Sequence, residues 1–480
     1  MTRATKIVAT LGPASSSPEI LRAMIQAGVD VVRLNFSHGV AQDHRDRANL
    51  IRQISLELGR EIAIMADLQG PKIRVGKFES GKVQLVTGAK FILDAECQIG
   101  NHERAGLDYK DLPKDVRAGD QLLLNDGLIV LRVEKVDGPC IYTQVEMGGD
   151  LSNNKGINRA GGGLTAPALT DKDQEDLLTA IDMGVDYIAI SFPKNADDMH
   201  FARKLAHSFV KDTGQDVRLI AKIERAEATY PGVLEGIIQA SDGIMVARGD
   251  LAVEVGNASV PALQKRMIRL ANQADKFVIT ATQMMESMID RVKPNRSEIT
   301  DVANAVIEGA DAVMLSGETA TGQFPVLVIE TMRKIISEVE QNGYKYNRSE
   351  DLKPQPHSPS FLSDALCYSA CRLSDDSGSQ ALVGMTQSGY TAFMLSSFRP
   401  KSPLFVFTKE ASLVNQLSLS WGVKAFYYDK EESLDAIFTD QIQLLKKDGY
   451  VKEGDIVVNT GSTPIKLHMP TNMIKINKVD

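Results

Sequence analysis

Four short phrases share one pattern of apolar and polar positions: AGVDVVRL (27–34), MGVDYIAI (183–190), ASDGIMVA (240–247) and EGADAVML (308–315). Each sets a small residue or glycine and an aspartate ahead of a short apolar run. Each follows a stretch of helical period, such as PEILRAMIQ or QEDLLTAID. A glycine ends the helix, the turn is tight, and the apolar run fits a parallel strand buried on both faces. KIVAT (6–10), EIAIMA (61–66), RLIAK (218–222) and FVITA (277–281) keep the same beat. Eight strands alternating with helices predict a (β/α)8 barrel over an open doubly wound sheet.

A segment of another character interrupts the series after Asp67. Its runs KVQLV, KFILD, QLLLN, LIVLRV and IYTQVE alternate in polarity, and VTG, NDG and VDGP separate them. Those are antiparallel strand and hairpin signals. They predict a small β domain over 70–166, hinged at Gly70–Pro71 and at GGGLTAP (161–167), set into a barrel built from 1–69 and 167–340. The polar, proline-bearing stretch 341–360 reads as a linker. Residues 361–480 alternate again, with a helix at SDALCYSACRL and strands at ALVGMT, LFVFT, KAFYYD, DIVVNT and MIKINK. The expected architecture is α/β: a TIM barrel, an inserted small β-barrel lid domain and a C-terminal α/β domain. A chain of 480 residues has room for about three such domains.

Composition narrows the function without naming it. The net charge of −8 argues against an extended nucleic-acid surface but leaves room for a local basic pocket. No apolar run is long enough to cross a bilayer, and MTRATKIVATLG has no signal-peptide core, so a cytoplasmic protein without a membrane partner is expected. Cys97, Cys140, Cys367 and Cys371 lack CxxC spacing and read as reduced structural thiols rather than zinc ligands.

In such a barrel the chemistry sits at the C-terminal ends of the strands and in the loops after them. That rule selects Arg33, Asn35, Ser37 and His38 after the second strand, then Asp67, then Ser191 and Phe192. It continues with Lys222 and Glu224, with Arg248, Gly249 and Asp250, with Thr280 and Thr282, and with Ser316 and Glu318. Glu224 and Asp250, on neighbouring strands, offer the oxygen donors that suit Mg²⁺. Lys222 has the strand parity of Glu224, and a cation there suits a transferring phosphoryl group or an enolate. A buried ion pair lining the barrel is the competing reading of any one such pair. A helix opening at Gly249–Asp250 would present N–H groups to a substrate carboxylate. On that stretch alone, a plain strand-to-turn glycine is equally good.

KIVATLGPAS, VVRLNFSHG, GPKIR, AKIE, GIMVARGDL, ATQMMESM and DVANAVIEGADAVMLSGETATGQFP, in this order, resemble the motifs of the pyruvate kinase family. The resemblance runs over essentially the whole chain. It implies phosphoryl transfer from phosphoenolpyruvate to ADP, giving ATP and pyruvate. It implies Glu224 and Asp250 as ligands of Mg²⁺, with Mn²⁺ as a substitute, and Lys222 as transition-state stabiliser rather than final proton donor. Arg33 becomes the phosphoryl clamp, and Gly249, Asp250 and Thr282 the carboxylate binders. Arg74 and Lys155, with Asn35, Phe36, Ser37 and His38 beside them, become nucleotide contacts. Thr282 and Ser316 would orient the water that protonates the enolate. A lid that excludes water suits this chemistry. Family members are commonly homotetramers, so a homotetramer is expected.

Two stretches depart from the common family pattern. DLQGPKIR (67–74) stands where many members carry DTKGPEIR and use K⁺, held by groups matching Asn35, Ser37, Asp67 and the carbonyl of residue 68. Leu68 spares that carbonyl, and Lys72 brings an ammonium in place of a glutamate. The expectation is that Lys72 supplies, near Asp67, the charge K⁺ otherwise provides, so that K⁺ is not required. A solvated hinge cation is the alternative. In the C-terminal domain, Thr386, Gln387, Ser388, Gly389, Tyr390 and Thr391 (TQSGYT) follow a strand and open a helix. That is a phosphate cradle in an effector domain, or a plain Ser/Gly cap. The loop NTGSTPIKLHMP (459–470) lacks the Trp and Arg-Gly features that grip fructose 1,6-bisphosphate, so a monophosphate such as AMP or a sugar monophosphate is the expected activator. Mg²⁺-dependent aldolases and lyases share the barrel carboxylates, and a non-catalytic sensor would need only the C-terminal domain. Neither accounts for Lys222, the lid and the nucleotide contacts together.

Overall fold

Lys6–Thr10, Val31–Asn35, Ala63–Asp67, Tyr187–Ile190, Arg218–Ile223, Gly243–Ala247, Phe277–Ala281 and Ala312–Leu315 pair in parallel with their sequence neighbours. The first strand closes on the last through Lys6↔Ala312, which completes an eight-stranded barrel. The structure is a computed structural model that describes residues 3–213, 216–347, 353–430, 432–464 and 469–480.

Alternation along the strands divides two packing environments. Val8, Val31, Met65, Tyr187, Ile220, Met245, Ile279 and Met314 form one cluster inside the barrel. Their neighbours Ile7, Val32, Ile64, Ile188, Leu219, Val246, Val278 and Val313 pack beneath the surrounding helices. Carried on toward the C-terminal ends, the inner parity delivers Thr10, Arg33, Asp67, Ser191, Lys222 and Ser316 to one mouth. Thr280 shares the outer parity of Val278. It is fully buried, its hydroxyl finds no partner, and it leaves the set of mouth residues.

The inserted segment is a half-barrel sheet ordered Ile157–Arg159, Gln121–Leu124, Ile129–Asp137, Cys140–Met147, Lys90–Asp94 and Arg104–Gly106, with two small ribbons beside it. Phe91, Leu93, Leu122, Leu131 and Ile141 fill its core. Strands such as Lys77–Phe78, Ile99–Gly100 and Arg104–Gly106 are too short to show a period, which is why sequence patterning misses them. Gly70 has φ +69°, and a Cβ there would meet Ser191 Cβ at 2.6 Å, so this turn admits only glycine.

The C-terminal sheet runs Val423–Tyr427, Leu404–Thr408, Ala381–Met385, Ile456–Gly461 and Met473–Lys478, with only the last strand antiparallel. It docks on the barrel end opposite the mouth. Leu419 enters the barrel's inner cluster beside Tyr187 and Phe277. Arg399, 1% exposed, pairs with Asp311 at 2.8 Å and donates to the Gly309 carbonyl at 2.9 Å. The stretch read as a linker begins as core: Tyr344 and Tyr346 lie 5.7 and 6.2 Å from the Trp421 ring. Residues 348–352 of that stretch and 465–468 of NTGSTPIKLHMP lie outside the described residues. Among the described residues, no helix is long and apolar enough to cross a membrane.

Candidate active site

Lys222 and Glu224 leave the fifth barrel strand on its inner parity. The Lys222 ammonium donates to Ser191 Oγ at 2.7 Å and pairs with Glu224 Oε1 at 2.9 Å and Asp67 Oδ1 at 3.1 Å. Three N–H groups thus meet three acceptors. Arg33 Nε donates to Asp67 Oδ2 at 2.5 Å, and its Nη1 donates to Thr10 Oγ1 at 3.1 Å. Burial alone would raise the Asp67 carboxyl, but Arg33 and Lys222 outweigh it and hold the group below its usual range. Glu224 moves the other way. Burial, opposed by Lys222 and reinforced by Asp250 and Asp67, pushes it up to about 7. Burial disfavours the Lys222 ammonium, yet Asp67 and Glu224 together raise its pKa, so it stays charged.

The sixth strand runs into a helix, Arg248–Val255, with Asp250 in its first turn and no side chain capping it. The Gly249 amide donates to Thr282 Oγ1 at 2.9 Å, so two groups expected at one substrate carboxylate already meet. Thr282 has φ +66°, a left-handed conformation that costs a β-branched residue roughly 1–3 kcal/mol. Arg248 Nε holds the turn, donating to the Thr282 carbonyl at 3.2 Å, while Nη1 pairs with Asp301 at 2.7 Å.

Lys72 departs from expectation. Its ammonium lies 2.9 Å from Asp250 Oδ1, whereas both oxygens of Asp67 are held by Arg33 and Lys222. The hinge turns the Lys72 chain across Gly156, where a Cβ would meet Lys72 Cε at 3.1 Å, and so aims it at the sixth strand's end.

Among the described residues, no three His, Cys, Asp or Glu side chains gather into a ready-made metal cage. Glu224 and Asp250 nevertheless fit Mg²⁺, which takes its remaining ligands from water and substrate oxygens. The repulsion by which Asp250 helps to raise Glu224 is what a divalent cation between them would relieve.

Residues 2–329 match the family model described as pyruvate kinase, barrel domain, and residues 364–477 match that of the pyruvate kinase alpha/beta domain. The chain belongs to the pyruvate kinase family. It is 44% identical to pyruvate kinase II of Salmonella typhimurium over 482 residues, covering 100% of this chain and 99% of that protein. It is 40% identical to the pyruvate kinase of Mycobacterium tuberculosis over 479 residues, covering 100% and 99%. A crystal structure of a pyruvate kinase from Cryptosporidium parvum superposes with a TM-score of 0.93 at 31% identity, covering 100% of this chain and 97% of that one. Pyruvate kinases are phosphotransferases that move the phosphoryl group of phosphoenolpyruvate to ADP, normally with Mg²⁺ and often with K⁺.

The remaining residues expected in a pyruvate kinase site are placed unevenly. Asn35 Oδ1 accepts from the Ser37 amide at 3.1 Å, and His38 is exposed. The Phe36 ring is buried, stacked on His44 at 4.2 Å, and its backbone is engaged as well, the N–H donating to the Asp67 carbonyl at 2.9 Å and the carbonyl accepting from Lys172 Nζ at 3.2 Å. Arg74 and Gly156 form a bridge between facing lid segments, which brings Arg74 beside Lys155. Ser316 closes the mouth, its amide donating to Glu318 Oε2 at 2.7 Å. Thr10 was missed, although it ends the first strand Lys6–Thr10 and the strand-end rule, applied there too, would have selected it.

TQSGYT does follow a strand and open a helix, Tyr390–Ser397. Its cradle is partly filled from within: Gly389 N–H donates to Thr386 Oγ1 at 2.9 Å and Tyr390 N–H to Ser388 Oγ at 3.4 Å. The Tyr390 hydroxyl donates to Asp364, and Thr391 Oγ1 meets Thr471 Oγ1 at 2.7 Å. The barrel reaches this loop directly, since Arg218 Nη2 donates to the Ser388 carbonyl at 3.1 Å.

Proposed function

We propose that the mouth residues divide the pyruvate kinase reaction among themselves as follows. The substrate carboxylate takes the Gly249 and Asp250 amides and the Thr282 hydroxyl, a reading supported by the 2.9 Å bond that already joins the Gly249 amide to that hydroxyl. Arg33 clamps the phosphoryl oxygens, and Lys222 stabilises the charge that develops as the phosphoryl group leaves. Glu224 and Asp250 hold Mg²⁺, which when bound neutralises the oxygens of the donor. The bond from phosphorus to the enol oxygen breaks as a terminal oxygen of ADP bonds to phosphorus. The enolate then takes a proton at its methylene carbon from a water oriented by Thr282 and Ser316. Arg74, Lys155 and the Asn35–His38 turn hold the nucleotide.

The observation that carries this reading is the Lys222 ammonium, kept charged between Asp67 and Glu224 at the mouth. A coupled assay of ADP-dependent pyruvate release tests the activity. Lys222→Met tests the assignment: phosphoenolpyruvate binding persists while turnover falls by at least about a hundredfold. Near-normal turnover overturns it.

The finer architecture follows the same reading. The catalytic barrel comprises 1–69 and 167–340, the lid 70–166, the connection 341–360, whose Tyr344 and Tyr346 pack on Trp421, and the effector domain 361–480. Lys72 stands in for K⁺, now from a position on Asp250. A phosphate monoester, AMP or a sugar monophosphate, binds the Thr386–Thr391 loop of a cytoplasmic homotetramer. Titration at low phosphoenolpyruvate tests the effector, and preferential activation by a sugar bisphosphate overturns it. Solution mass measurement tests the tetramer.

A further inference from the structure

Ser191 and Phe192 stand at the end of the fourth barrel strand, outside every role assigned above. Ser191 is 1% exposed, and its hydroxyl makes two short bonds. It accepts from Lys222 Nζ at 2.7 Å and donates to the Leu68 carbonyl at 2.7 Å. The polarity of this chain is forced, because an ammonium carries only donors and a hydroxyl has one proton to give. Asp67 Oδ1, at 3.5 Å, is too far to compete for that proton.

The backbone ladder between the third and fourth strands ends at Ala189↔Asp67, with Leu68 N–H on the Ala189 carbonyl at 3.1 Å. Beyond it the Ser191 side chain takes over as the link. The first lid hinge follows at once, and Gly70 packs on this dipeptide: a Cβ there would meet Ser191 Cβ at 2.6 Å and the Phe192 ring at 3.1 Å. Phe192 itself has φ +57°, and that turn aims its N–H at Glu224 Oε2, 2.9 Å away. One dipeptide therefore touches the lysine, one carboxylate of the metal pair and the lid hinge.

We propose that Ser191 is a positioning residue that ties the first lid hinge to the Lys222 ammonium. Of the three acceptors on Lys222, Ser191 is the neutral one, and a neutral acceptor holds an ammonium less strongly than a carboxylate does. It is the bond that yields an N–H to an incoming substrate oxygen, while Asp67 and Glu224 keep the lysine in place. Movement of the hinge carries the Leu68 carbonyl and Gly70, and Ser191 moves with them. Lid closure and release of that N–H are one event.

The inference rests on the proposed roles of Lys222 and the lid, and the test separates them. Ser191→Ala is expected to lower kcat by roughly ten- to a hundredfold, with KM for phosphoenolpyruvate changed by less than about threefold. Gly70→Ala is expected to impair the parent and the Ser191→Ala background alike, because the Cβ it would meet at 2.6 Å is kept in alanine. Hydrogen exchange gives a readout independent of turnover: amides of residues 68–74 should exchange faster in Ser191→Ala, even if Gly70→Ala does not fold. Parent-like kcat in Ser191→Ala, or unchanged exchange at the hinge, overturns the proposal. If Lys222→Met also keeps its turnover, the reading of Lys222 has failed as well. If Lys222→Met is inactive, only the role of Ser191 has failed.

Discussion

Lys72 Nζ lies 2.9 Å from Asp250 Oδ1 and joins the first lid hinge to a carboxylate assigned to the metal. Both side chains are 25% exposed, so the pair is worth about 0.2–1 kcal/mol rather than the larger energy of a dry ion pair. A divalent cation at Asp250 competes with this ammonium. Lys72→Met should therefore tighten Mn²⁺ binding to the substrate-free protein by up to about fivefold, read by paramagnetic resonance titration. Weaker binding would show that Lys72 helps to hold the site together.

The proposal that Lys72 stands in for K⁺ has its own test. The parent protein is expected to keep its rate when a bulky organic cation replaces K⁺. Lys72→Glu should then depend on added K⁺, because it removes one positive charge and adds a negative one beside Asp250. Loss of the parent's activity without K⁺ refutes the substitution.

Glu254 gives a pH dependence that belongs to the lid attachment. Its carboxylate accepts from Ala226 N–H at 2.8 Å and Asn158 Nδ2 at 3.3 Å, and its carbonyl takes the Gly161 amide of the second hinge at 3.0 Å. Burial pushes its pKa from 4.5 up to about 7, against the Ala226 amide and with help from Glu227. Below 4.5 the group is neutral in both folded and unfolded chains and no burial penalty applies; above about 7 it is ionised in both, and the full penalty applies. Its contribution is thus present at low pH and lost as pH rises through about 7, a change of roughly 3 kcal/mol. Glu254→Gln should flatten the fall of Tm between about pH 4.5 and about pH 7 relative to the parent. Parallel curves would count against this.

Arg399 should control the docking of the C-terminal domain. It is 1% exposed, and its partner Asp311 also accepts from Val278 N–H at 2.8 Å inside the barrel floor. Arg399→Met leaves that carboxylate buried without its cation, at a cost of about 3–5 kcal/mol. Calorimetry should show the C-terminal domain melting ahead of the barrel. A single transition within about 1 kcal/mol of the parent would contradict the prediction.

The eight barrel strands were legible because burial on both faces demands near-continuous apolar runs, and the glycine and aspartate before several of them mark a tight helix-to-strand turn. Lys222 and Glu224 were legible as a pair for a simpler reason: two residues apart on one strand, they must point to one side. The loop TQSGYT was legible as a helix entrance. That its hydroxyls already bond its own amides, and that Arg218 reaches it from the barrel, was not.

By itself, then, the sequence determined the barrel, the position of the inserted sheet and the inner parity that brings Arg33, Asp67 and Lys222 to one mouth. These follow from periodicity, which links residues near each other in the chain. Tertiary structure alone decided that Lys72 pairs with Asp250, 178 residues away, rather than with Asp67. It also decided that Ser191 joins Lys222 to Leu68, and that Tyr344 and Tyr346 pack on Trp421 instead of forming free linker. The physical reason is the same in each case. A side chain's partner depends on the path of a turn and on which neighbour is already satisfied, and no period along the chain records either.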